Sequence, residues 1–84
     1  KMNYCYEFGD IVFVDCMSIL RREDVDKVLA YLYKSHDRNG FYPVHIGYAD
    51  RDMDTGIRIE NVDTEAVTKF IQDIIDSQVE AAVS

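Results

Sequence analysis

Asn3-Tyr4-Cys5-Tyr6-Glu7-Phe8-Gly9-Asp10-Ile11-Val12-Phe13-Val14-Asp15-Cys16 is the segment on which the reading of this chain turns. Two alternating runs flank Gly9-Asp10, and a two-residue Gly-Asp link between such runs reads as a β-hairpin. Pairing Phe8 with Ile11 places Tyr4, Tyr6, Phe8, Ile11 and Phe13 on one face. Cys5, Glu7, Val12, Val14 and Cys16 take the other. A small antiparallel sheet ordinarily keeps one face polar and wet. Here both faces are apolar, so a partner, a second copy or the chain itself is expected to cover the aromatic one. Met17–Leu20 and the C-terminal tail are the internal candidates.

Beyond the hairpin, Glu23 to Ser35 predicts a helix, with Val25, Val28, Leu29 and Leu32 on an i, i+3, i+4, i+7 stripe. Glu23 and Asp24 suit its positive N-terminal end, and Lys34 and His36 its C-terminal end. Asn39-Gly40 tolerates the left-handed conformation that ends a helix. Phe41 to Tyr48 predicts a strand, with Pro43 at its start or at a sheet edge. Ala49 to Gly56 reads as a polar loop and Ile57 to Val62 as a further strand. Asp63 is an N-cap for a second helix that buries Val67, Phe70, Ile71 and Ile74, with Ile75 and Gln78 beside them.

The order is strand-strand-helix, twice. Glu23, Val25, Lys27 and Ser35 recur forty-two residues later as Glu65, Val67, Lys69 and Ser77. Duplication of halves 3–40 and 41–80 and a chance likeness of two amphipathic helices both explain this. The alignment places Val12 and Val14 with Ile57 and Ile59 toward the helices, and Phe13 with Arg58 away from them.

Eighty-four residues form a single domain that buries roughly 60–65% of its unfolded surface. An apolar share of 48%, six Tyr and four Phe mark a folded protein rather than a disordered tail. Lys1 ahead of Met2 reads as an expression remnant. No charged-then-apolar leader and no long apolar run stand in the sequence, so a cytoplasmic protein off the membrane is expected. Cys5 and Cys16 show no metal spacing, and lie diagonally in the hairpin, where a disulfide fits poorly. They read as buried thiols.

Sixteen acids against nine bases give a net charge of −7. Direct nucleic-acid binding needs a basic footprint, and the sequence offers none. Residues 50–80 hold nine acids and three bases. Asp73, Asp76 and Glu80 are spaced along the second helix, and Glu60, Asp63 and Glu65 cluster at its start. Such rows form an ordinary solvated face, or imitate a phosphate backbone toward a basic protein. Small acidic phage proteins that block host defence enzymes work in the second way; the analogy here is one of size and charge alone. The tyrosines read as interface residues rather than base-stacking platforms, because cations along a nucleic-acid path are missing.

Two other chemistries have candidates. Asp50, Asp52 and Asp54 alternate as oxygen ligands of calcium do, although an EF-hand would need Gly at Thr55 and an acid at Asn61. A small enzyme would use His45 or Cys16. No cofactor motif is present.

The expectation is an α+β domain, ββαββα, with a four-stranded antiparallel sheet and both helices on one face. Its expected function is a non-enzymatic protein-binding module, an inhibitor or regulator of a protein with a basic surface. Tyr4, Tyr6, Phe8, Ile11 and Phe13, with Glu60, Asp63, Glu65, Asp73, Asp76 and Glu80, are the expected partner-binding residues. A homodimeric structural or ligand-binding domain, its dimer built on the aromatic face, is the neighbouring reading.

Overall fold

A computed structural model describes residues 3–35 and 40–83. The readings placed on Lys1, Met2, His36 and Asn39 lie outside the described residues. The elements run β1 (Cys5–Phe8), β2 (Ile11–Asp15), α1 (Arg22–Ser35), β3 (Tyr42–Tyr48), β4 (Arg51–Ile59) and α2 (Thr64–Val83). The chain is α+β in the expected ββαββα order.

The first hairpin has the register read from the sequence, with Phe8 opposite Ile11 and Cys5 opposite Val14. Gly9 has φ +60°, as the first central residue of a type II′ turn requires. The strands lie in the order β1-β2-β3-β4. The outer pairs are antiparallel, but β2 and β3 are parallel, with Val12 opposite Val44 and Val14 opposite Ile46. This corrects the wholly antiparallel expectation. A connection holding a whole helix can carry the chain back to start a strand in the same direction, which a tight turn cannot.

The internal duplication is not shown by this fold. β1 to β2 and β3 to β4 step the same way across the sheet, yet β1 and β3 run in opposite directions. Repeated hairpins carrying their helices on one face would run alike.

Alternation then sorts the side chains. Cys5, Val12, Val14, Cys16, Val44, Ile46, Ile57 and Ile59 are buried on the inner face. They meet Val25, Val28 and Leu32 of α1 and Val67 and Ile71 of α2 in one core. Each fully buried Val, Ile or Leu contributes about 1.5–3 kcal/mol. Both helices lie on this one face, α2 against β1 and α1 against β4. Ile19 joins the core from the β2–α1 connection, whereas Met17 and Leu20 are exposed.

Two contacts lock the helices together. Tyr31 stacks on Phe70 at 4.3 Å between ring centroids. Asp24, fully buried, accepts hydrogen bonds from Arg21 Nε at 2.9 Å, from Lys27 Nζ at 3.5 Å and from Gln78 Nε2 of α2. The sequence reading gave Asp24 a helix-dipole role, but it is the polar clamp between helices. Burial pushes its carboxyl pKa up, and hydrogen bonds and charge from Arg21, then Lys27, outweigh that and hold it below the ordinary carboxylate range.

The polar loop expected over Ala49–Gly56 is instead a two-residue turn, Ala49-Asp50, and β4 begins at Arg51. Both turn residues have positive φ, 52° and 63°. Polar residues follow one another in β4 because its first half, Arg51 to Asp54, is exposed on both faces. The register shifts between Pro43 and His45, opposite Asp54 to Arg58. Thr55 stitches this irregularity by donating its hydroxyl to the Val44 carbonyl at 2.8 Å.

Two predictions follow from these contacts. The folded pKa of Asp24 lies below its unfolded value, so its contribution is present above the unfolded pKa and lost as pH falls through the folded one. Asp24→Ala is expected to cost about 2 kcal/mol at neutral pH and to remove part of the acid destabilisation below about pH 4, both read from urea midpoints. An unchanged midpoint would contradict the clamp. At the second turn, Ala49→Asn with Asp50→Gly is expected to stabilise by about 1 kcal/mol, because left-handed backbone is costly for Ala. A lowered melting temperature would contradict that geometry.

Candidate functional site

Among the described residues the outer sheet face carries no helix, and it divides into two halves. Tyr6, Phe8, Ile11 and Phe13 share the half built by β1 and β2, with Tyr6 42% and Phe8 68% exposed. The Tyr6 and Phe13 rings lie 5.5 Å apart and tilted. The Phe13 ring reaches across to β3 and covers Gly47, where an added Cβ would come within 2.5 Å of Phe13 Cζ. Gly47 thus seats the ring against the backbone.

Tyr4 departs from this face. It is buried, its N–H donates to Thr68 Oγ1 of α2 at 3.2 Å, and its carbonyl accepts from the Asp15 N–H at 2.7 Å. The expectation for Tyr4 is corrected: it precedes β1 in a bend drawn to the helix, so strand alternation does not govern it.

The other half of the outer face is ionic. His45 Nδ1 lies 2.9 Å from Asp52 Oδ1, and Arg58 Nη1 lies 3.2 Å from Asp54 Oδ1. The Gly56 N–H, then Arg58, hold the Asp54 carboxyl below the ordinary range. The expected calcium carboxylates are therefore spread out. Asp50 sits in the turn and Asp52 and Asp54 bind basic side chains. Among the described residues no group of three or more His, Cys, Asp or Glu could hold a metal ion.

The two enzyme candidates are separated by the sheet. His45 sits on the outer face, while Cys16 is fully buried on the inner one. Both thiols are free. Burial, then the charge of Glu7, pushes Cys5 up to about 12. Burial, then Asp15, does the same for Cys16. Neither is a thiolate at neutral pH.

The acids expected to bind a partner are all exposed, and the fold gathers three of them. A groove of about 650 Å³ runs between β1 and α2. Glu65, Lys69, Gln72, Asp73 and Asp76 line it at helical spacing. From the strand side come Tyr6 and Glu7, and Cys5 and Thr68 lie at its floor, 2% and 7% exposed. Lys69 is tied to Asp73 at 3.4 Å, and Gln72 donates to Asp76 at 3.0 Å. Among the described residues Glu7 and Glu65 make no side-chain hydrogen bond or ion pair. Four carboxylates thus face one ammonium group.

Glu60, Asp63 and Glu80 stay outside this groove. Asp63 caps α2, its Oδ1 accepting from the Ala66 N–H at 3.0 Å. Glu60 shares a neighbouring hollow with Glu7. Glu7 is the groove carboxylate that the sequence reading left unassigned. Its signal was there: a lone charge on the inward-alternating side of a short strand.

Compared with known families, curated proteins and solved structures, the chain finds no match in any of the three. Among the described residues no helix is long and apolar enough to cross a membrane.

Proposed function

We propose that the protein is a small, acidic, non-enzymatic protein-binding module of the cytoplasm. It acts as an inhibitor or regulator of a protein with a basic surface of the kind that holds nucleic acid, as a phage anti-defence protein does. The carrying observation is the groove in which Glu7, Glu65, Asp73 and Asp76 face the single base Lys69. Uncompensated carboxylates on a rigid helix and strand attract a basic partner at long range and fix its orientation on contact. A Cys16–His45 pair cannot form across the sheet, and burial keeps Cys16 a neutral thiol, which supports a binding role over catalysis.

The test is a pull-down from host lysate with tagged wild-type protein and with Glu65→Gln, Asp73→Asn, Asp76→Asn combined. The expected partner is a nucleic-acid-binding protein that elutes at moderate salt and is not retained by the triple variant. Equal retention by a variant with an unchanged melting curve would refute the reading.

A second reading, a homodimer through the outer face, is favoured by the exposure of Tyr6 and Phe8 on a sheet face without helices. It predicts dimers in sedimentation velocity that Tyr6→Ser with Phe8→Ser dissociates. A monomer at high concentration excludes it.

A further inference from the structure

We propose that the β1–α2 groove receives an extended, basic segment of the partner, which pairs with β1 as a fifth strand. This rests on the acidic-module reading and names the form its partner takes. β1 is an edge strand. Its register with β2, and the bond from the Asp15 N–H to the Tyr4 carbonyl, put Tyr4, Tyr6 and Phe8 at the positions that bond inward. The N–H and C=O groups of Cys5 and Glu7 therefore point away from the sheet.

The ladder with β2 does not use these groups, and among the described residues no other hydrogen bond reaches them. At Glu7 they lie on the surface. At Cys5 they face the groove that this residue lines. Backbone polar groups so placed ordinarily find a partner. A strand laid along β1 supplies one for each, as in other modes of strand addition.

The groove beside the edge decides what kind of strand fits. It follows β1 from residue 3 to residue 7 and α2 from residue 64 to residue 76. Alternate side chains of an added strand enter it. Glu65 and Asp73 are about 12 Å apart along the helix, close to the roughly 13 Å that four strand residues cover. Lysine or arginine side chains four positions apart can thus reach both ends.

A second copy of this chain is the wrong occupant. Two β1 edges laid together would oppose their Glu7 carboxylates and their acidic α2 faces, and like charges across a strand pair destabilise it. The short strand and its inward Glu7 guard the edge against self-pairing while remaining open to a basic segment. The other edge, β4, carries carboxylates already engaged by His45 and Arg58.

The test measures binding of a fluorescent alternating lysine–threonine peptide to the whole protein by anisotropy. A second peptide is N-methylated on alternate residues, so that its charge is kept and its pairing edge is lost. The expected result is binding that N-methylation weakens about tenfold or more. Glu7→Pro, which deletes an outward N–H that the sheet does not use, should weaken it further than Glu7→Gln does. Equal binding of both peptides, or equal effects of the two variants, would overturn strand addition and leave an acidic surface without it. No peptide binding, with a partner still lost by the triple variant, would also overturn strand addition while the module reading stands. A partner retained by that variant overturns the module reading itself.

Discussion

The parallel pairing of β2 with β3 at the centre of the sheet is the constraint from which the rest of the molecule follows. Two adjacent parallel strands need a crossover, and α1 supplies it. The apolar stripe of α1 commits that crossover to the face bearing Val12, Val14, Val44 and Ile46. α2 must then lie beside it, over β1. Two helices, each roughly 10 Å across, span about the width of four strands spaced about 4.8 Å apart. Nothing is left to cover the outer face, and α2 ends up lying along the β1 edge.

That placement gives the charges two different fates. Asp24 is buried between the helices and holds three donors, so its charge is spent on joining α1 to α2. Glu7 and Glu65 line a groove and have no hydrogen-bond or ion-pair partner among the described residues. The first arrangement favours one helix packing over others. The second leaves a field directed at something outside the chain. In the aromatic half of the outer face Phe13 lies down on Gly47 and Tyr6 leans on Phe13, while Tyr6 and Phe8 stay exposed.

Much of this was legible in the sequence where the signal is local. The Gly9-Asp10 link fixed the hairpin register, and the Val25–Leu32 stripe located α1 to within a residue. What was hidden depends on distant partners. The direction of β3 relative to β2 leaves no trace in either strand's alternation. Ala49-Asp50 lacks the glycine that announces a tight hairpin turn, so the exposed start of β4 read as loop. Tyr4 was misplaced because Thr68, sixty-four residues away, draws it inward. Among the site residues, the spacing of Glu65, Asp73 and Asp76 showed a common helix face. That β1 and Glu7 would form the opposite wall could not be read, because it depends on which strand α2 covers.

Residue-resolved amide hydrogen exchange on the free protein tests the central claim most directly, the claim that β1 is an unpaired edge beside an acidic groove. The account predicts that the Glu7 N–H exchanges nearly as fast as the turn residues Gly9 and Asp10, at any protein concentration. Tyr6, bonded to β2 in the same strand, should exchange orders of magnitude more slowly. A Glu7 N–H protected as strongly as that of Tyr6 would show that the edge is already paired, and would contradict the account.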